Sequence, residues 1–192
     1  MGYHHFRGSA LTRSEKIQAK IVRLILGSSP LAEKGESSRE WELKHSSGVI
    51  AFARLFAQKR GVDTELAEIA AALHDIHVVL EGTYDSHAEL GAQEARKMLS
   101  GSGDFSDSEI SSICEAIASH SKKWEYSNTP LAEIIKDADC LDCFMYGEKV
   151  YDYKPEAELA HYYNRIVRIR KELSLPPIPY FNARLDELEE YL

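Results

Sequence analysis

No apolar run in this sequence approaches the roughly 18–20 residues that a membrane-spanning helix needs. The opening segment, MGYHHFRGSALTRSEK, has no apolar core of the kind a secretory signal requires, and residues 1–13 are expected to form a flexible arm. Cysteine is scarce and odd in number, three in 192 residues. That argues against a disulfide framework and fits a reducing, cytoplasmic setting. Basic residues are outnumbered, 23 Lys and Arg against 31 Asp and Glu, which leaves a formal net charge of −8. An acidic surface repels phosphate backbones and argues against broad nucleic-acid binding. It does not forbid a small anionic substrate, because a metal ion and a few lysines can reverse the field inside a cleft. Strand-like alternation, internal repeats and low-complexity tracts are also missing.

What remains reads as helix after helix, an all-α chain with its domain over residues 14–192. From Ser14 to Leu26, Ile17, Ile21, Leu24 and Ile25 share one face. Over residues 40–60, His45, Val49, Phe52 and Phe56 do the same. Asp63 is placed to cap a third helix that turns Leu66, Ile69, Ala70 and Leu73 inward. SHAE (Ser86 to Glu89) and SDSE (Ser106 to Glu109) have the spacing of capping boxes. Thr129 and Pro130 open a helix carrying Ile134, Ile135, Ala138, Leu141 and Met145. Pro155 precedes a long helix that LPPIPYF ends, and a short acidic helix closes the chain. Segments 28–40 and 100–106 read as loops.

Five of the eight histidines are informative. Helical spacing puts His45 on the face of Val49 and Phe52, His74 on the face of Ala70, and His120 on the face of Ile113 and Ile117. His87 lies in the first turn after Ser86, at a helix end. His77 is either a supporting residue or exposed, His161 sits among tyrosines, and His4 and His5 lie in the arm. In IIKDADCLD, Asp139 reaches the edge of the buried face, whereas Asp137 points elsewhere and is expected in solvent. Buried imidazoles and carboxylates need partners. A divalent cation satisfies several at once, and an imidazole–carboxylate set suits Mn, Fe, Co, Ni, Zn or Mg. His74 and Asp75 are adjacent, about 100° apart on a helix. They cannot share a face, but at a helix end both can reach an ion between their directions.

The order His45, His74-Asp75, His87, His120, Asp139 resembles the HD-domain superfamily of metal-dependent phosphohydrolases. Its H…HD…D signature is matched by His45, His74, Asp75 and Asp139. AALHDI, SHAELGAQEA, AIASHS and DADCLD resemble the surrounding family segments, over about residues 40–147. The resemblance implies a helical bundle with a metal site among its central helices, a bound divalent metal, and hydrolysis of a small phosphate ester or anhydride, such as a nucleotide, by metal-activated water. Under it, His45, His74, Asp75 and Asp139 hold the ion, and Asp75 or Asp139 orients the water. His87 and His120 bind a second ion or the substrate. Two departures matter. Val78 stands where many members have Lys, which argues against cyclic-dinucleotide phosphodiesterases (no GYP motif is present either) and some di-iron oxygenases. Gly48 stands where many nucleotide-hydrolysing members have Arg.

Lys122 and Lys123 are candidate substrate phosphate contacts, with a solvated surface role as the alternative. Glu81 and Glu89 are candidate acids or bases. The cysteines of CLDC, 140–143, are read as packing residues, since no second pair or βαβ context accompanies them. Arg165, Arg168, Arg170 and Lys171 are read as a solvated helix face. A di-iron oxygenase on the same scaffold and a non-catalytic, metal-stabilised module are the competing functions.

Overall fold

The computed structural model describes residues 10–33, 35–146 and 154–192. Residues 1–9 of the expected arm, Lys34 in the 28–40 segment, and residues 147–153 lie outside the described residues. Those described form helices and no strand. In chain order they are α1 (Arg13–Gly27), α2 (Pro30–Glu33), α3 (Arg39–Arg60), α4 (Thr64–Leu73), α5 (Ile76–Glu81), α6 (His87–Ser102), α7 (Asp107–Ser119), α8 (Pro130–Phe144), α9 (Glu156–Glu172) and α10 (Pro179–Glu187), followed by a 3₁₀ turn (Glu189–Tyr191). No helix is long and apolar enough to cross a membrane among the described residues.

α4 is the centre. Ala67 and Ile69 through Leu73 are all buried, so the helix is apolar nearly all round, as a helix enclosed by others must be. α3 and α8 pack along it and along each other, α1 and α7 cover further sides, and α6 pairs with α7. α9 covers α8, and α10 covers α9. Thr12 and Ser106 form full capping boxes with Glu15 and Glu109, and Ser38 and Asp63 each cap with one side-chain bond. Gly61 ends α3 in the left-handed region at φ 68°. Gly82 ends α5 at φ 70°, where a Cβ would lie 2.8 Å from the Pro30 carbonyl oxygen.

Several expectations are corrected. The SHAE box does not form: Ser86 is left-handed (φ 50°) and makes no cap bond, because capping needs an extended N-cap backbone. The 28–40 segment contains the single turn α2, and α6 continues through Ser102 into the segment read as a loop. Thr129 holds the N-cap position, but its hydroxyl donates to Glu115 instead (2.7 Å). Asp137 is buried, paired with Arg60 (2.7 Å) and Arg165 (2.7 Å). Arg165 is likewise buried rather than solvated, because its fork also reaches Glu133 (2.8 Å). All three cysteines are free thiols.

Candidate metal centre

The HD dipeptide sits at a break. α4 stops at Leu73, Asp75 takes a bridge-region backbone (φ −103°, ψ 23°), and α5 starts at Ile76. The break turns both side chains toward one centre. α3 supplies His45 there, the first residue of α6 supplies His87, the end of α7 supplies His120, and α8 supplies Asp139. His45, His74, Asp75 and His120 are buried; His87 and Asp139 are partly so.

Each imidazole is anchored at Nδ1. His74 donates to the Ala71 carbonyl (2.8 Å), His87 to Tyr84 (2.7 Å) and His120 to Ile117 (2.7 Å). Carbonyl oxygens cannot donate, so these nitrogens carry the hydrogen. His45 Nδ1 meets the Asp142 carboxylate at 2.7 Å. All four Nε2 atoms are thereby aimed inward, the arrangement of ligand histidines held by a second layer of acceptors.

The Nε2 atoms converge in two pairs, His45 with His74 (3.2 Å) and His87 with His120 (3.2 Å). Two imidazole nitrogens at this distance need a proton or a metal cation between them. Asp75 lies between the pairs. Its Oδ2 is 3.1 Å from His74 and 3.8 Å from His45; its Oδ1 is 3.3 Å from His120 and 3.6 Å from His87. Asp139 Oδ1 adds to the first pair, 3.3 Å from His45. Buried Asp75 Oδ1 has no hydrogen-bond partner, an expensive state that a cation relieves. Two overlapping groups, His45–His74–Asp139 and His74–Asp75–His120, each bring one ligand atom per residue within 4.8 Å of the others. The donor set and the orphaned oxygen therefore fit divalent ions.

Electrostatics divide the centre. Burial opposes charge on His45, but Asp139, Asp142 and Asp75 outweigh it and lift its pKa to about 10. Burial dominates at His120 and lowers its pKa to about 4 despite Asp75. Burial also works against the Asp139 carboxylate, yet Lys123 and His45 hold it well below the usual range. A proton and a metal ion compete for the same imidazole nitrogen, so the acidic excess around His45 marks the place where a cation belongs.

His45, Asp75, His87, His120 and Asp139 open onto a cavity of about 190 Å³, walled also by Trp41, Tyr84, Ser121, Lys123, Lys154 and Tyr162. A larger groove of about 660 Å³ lies on α6 and α7, but it holds none of these side chains. Chemistry rather than volume identifies the site. Lys123 is buried, with its ammonium on Asp139 and the His120 carbonyl. Its backbone is fixed by Arg165, whose Nε donates to the Lys123 carbonyl (2.8 Å). Lys122 turns to Glu89 (3.4 Å) and is not part of the cavity wall; nor are Glu81, Glu89 and His77. Cys143 lines the cavity, its Sγ 3.6 Å from Asp139.

Asp142 was visible only as one of three aspartates in α8; its bond to His45 crosses 97 residues and has no local signal. A faint one exists in HSSG. A Cβ on Gly48 would lie 1.7 Å from Asp142 Oδ1, so the departure at this position makes room for the carboxylate.

The HD domain family's sequence pattern matches residues 43–143. The chain is 32% identical over 100 residues to Ribonuclease Y of Lawsonia intracellularis, covering 52% of this chain and 18% of that protein. It is 32% identical over 123 residues to Ribonuclease Y of Chlorobium luteolum, covering 64% and 21%. The chain thus spans about a fifth of the length of these relatives. A crystal structure of a predicted HD superfamily hydrolase from an uncultured Thermotogales bacterium superposes with a TM-score of 0.51 at 26% identity, covering 81% of this chain and 88% of the other. With the pattern spanning both halves of the HD signature and most of the helical core, this chain belongs to the HD-domain family.

Proposed function

We propose that this chain is a metal-dependent phosphohydrolase acting on a small phosphate ester or anhydride, a nucleotide being the best-fitting class. The observation that carries the reading is the orphaned Asp75 Oδ1 set among four imidazoles already anchored at Nδ1. In this reading His45, His74, Asp75 and Asp139 hold one divalent ion. His87 and His120, together with Asp75, would hold a second. A bound ion supplies positive charge to a phosphate oxygen and lowers the pKa of bound water toward ~7.

The chain's own residues do the rest. Asp75 and Asp139 accept hydrogens from the attacking water and set its direction. Lys123 presents an ammonium beside Asp139 where a phosphate oxygen would enter, held there by the Arg165 contact to its backbone. Lys122 is dropped from the substrate contacts, since it faces Glu89 outside the cavity. Trp41 stacks on His45 (ring centroids 5.4 Å, planes 14° apart) and with Tyr84 gives the cavity flat apolar walls suited to a base. A cavity this small on a chain of net charge −8 favours a single phosphorylated unit over a polymer. The hydrolase neighbour and the Ribonuclease Y relatives support phosphate chemistry. The same six ligands would serve a di-iron oxygenase, and buried Val78, in the position of the missing Lys, weighs against it.

The test is a phosphate-release screen of nucleotides, sugar phosphates and short oligonucleotides with Mn²⁺, Co²⁺, Ni²⁺ and Mg²⁺. Metal-dependent release from a mononucleotide-sized substrate is expected. Oxygen consumption with two irons per chain and no phosphate release would overturn the reading.

A further inference from the structure

Among the described residues, three that wall the cavity lie outside 43–143, where the family pattern runs: Trp41, Lys154 and Tyr162. The candidate ligands lie inside it, so these three are where the chain adds selectivity of its own. Tyr162 sits on α9 and Lys154 just before that helix. α9 is firmly docked. Arg165, one turn after Tyr162, is buried and reaches Glu133, Asp137 and the Lys123 carbonyl, and Cys140 Sγ on α8 meets the Tyr162 carbonyl (3.7 Å). The Lys154 ammonium lies over the Tyr162 ring, 4.8 Å from its centroid, and 3.7 Å from the Glu158 carboxylate. Glu158 is not part of the cavity wall. Ring and carboxylate fix where the ammonium stands.

Two ammonium groups therefore serve one cavity at different depths. The Lys123 side chain is 2% exposed and rests on Asp139; the Lys154 side chain is 19% exposed. A phosphate at the ligand cluster meets Lys123. A substrate with one phosphate leaves Lys154 without a role, whereas a second phosphoryl group would meet it in a charge-assisted contact. We propose that Lys154, steadied on Tyr162, binds the second phosphoryl group of the substrate, which makes a phosphate anhydride, such as a nucleoside diphosphate, the preferred substrate over a monophosphate ester. The proposal rests on the phosphohydrolase reading for the position of cleavage. Water oxygen bonds to the terminal phosphorus, and the bond from that phosphorus to the bridging oxygen breaks. The bridging oxygen keeps the electron pair and leaves on the nucleoside monophosphate; inorganic phosphate and a water proton are released.

The test measures binding of AMP and of α,β-methylene-ADP, whose bridging carbon prevents hydrolysis, to Mn²⁺-loaded protein by calorimetry. Wild type, Lys154→Ala and Lys154→Arg are compared, with metal content determined in the same samples. Wild type should bind the methylene analogue at least about tenfold more tightly than AMP. Lys154→Ala should lose that preference while AMP affinity changes less than about twofold, and Lys154→Arg should keep most of it. Equal affinities in wild type, a preference that survives Lys154→Ala, equal weakening of both ligands, or no binding of either would overturn the proposal. Phosphate release from ADP by the same proteins tests the underlying reading separately. A Lys154-dependent preference without release would uphold the Lys154 contact and strike the hydrolase reading. Release that is indifferent to Lys154 would spare that reading and overturn the proposal.

Discussion

Replacing Asp142 by Asn changes one atom in a nearly inaccessible place. The carboxylate is 1% exposed, and its Oδ2 sits 2.7 Å from His45 Nδ1. In the wild type the negative charge fixes the tautomer that frees Nε2 and makes that nitrogen a better donor to a cation. Asn keeps the shape but loses the charge, and an amide turned the wrong way would present N–H to N–H. Hydrogen bonds to charged groups contribute about 1.5–3 kcal/mol. At about 1.4 kcal/mol per tenfold, that is 10- to 100-fold in affinity, the range seen when groups behind metal-bound histidines are removed. Competition with a chromophoric chelator should therefore show Mn²⁺ or Zn²⁺ binding weakened 10- to 100-fold in Asp142→Asn, with little change in helical content. Gly48→Ala attacks the same bond without touching charge. Its Cβ would stand 1.7 Å from Asp142 Oδ1, so the carboxylate must swing away. The two variants should weaken binding in the same direction, and the double variant should fall well short of their sum, since both act on one contact. Unchanged affinity in Asp142→Asn would refute the idea that Asp142 holds His45 as a ligand.

Other outcomes follow from the same geometry. Asp75→Ala should abolish metal binding and turnover while circular dichroism still reports a helical protein; retained turnover would remove Asp75 from the centre. Arg165→Met removes one cation shared by Asp137 and Glu133, which keep Arg60 and Lys136, and should cost about 1.5–3 kcal/mol in urea unfolding. Ser106→Ala should cost about 1 kcal/mol by the loss of a formed cap, and Ser86→Ala much less, because Ser86 makes no such bond; equal losses would contradict the backbone found at Ser86. Glu42 is protonated more readily in the folded protein than its ordinary value of 4.5, with a pKa of about 7. The native state therefore binds more protons than the unfolded chain across that window. Stability contributed by this group is complete below pH 4.5 and falls as pH rises through about 7. Melting curves of chelator-treated protein should show that decline, and Glu42→Gln should flatten it.

The parts of this molecule that could be read in advance are those set by local periodicity. Ile110, Ile113 and Ile117 recur at helical spacing, and His120 continues their stripe, so its burial at the end of α7 was legible from one segment. The same reasoning placed His45 and His74 inward and Asp139 at an edge. It failed where the deciding partner came from far along the chain. Asp137 lies off the apolar face of its own helix, but Arg60 and Arg165 arrive from α3 and α9 to bury it. Arg165 read as surface because a buried guanidinium is tolerable only when carboxylates 28 and 32 residues away meet it. Ser86 had capping-box spacing, but spacing does not encode φ, and the tight turn after α5 holds that residue left-handed. The short helices α2 and α5, of four and six residues, lack the length over which periodicity can be recognised.

In the proposed centre Asp75 joins two metal positions, one with His45, His74 and Asp139 and one with His87 and His120. Elemental analysis of protein loaded with Mn²⁺ and freed of excess ion tests it most directly, run beside His87→Ala. Two ions per chain in the wild type and one in the variant are the predicted result. One ion per chain in both would contradict a bridged pair and return His87 and His120 to the substrate; none in either would contradict the metal centre altogether.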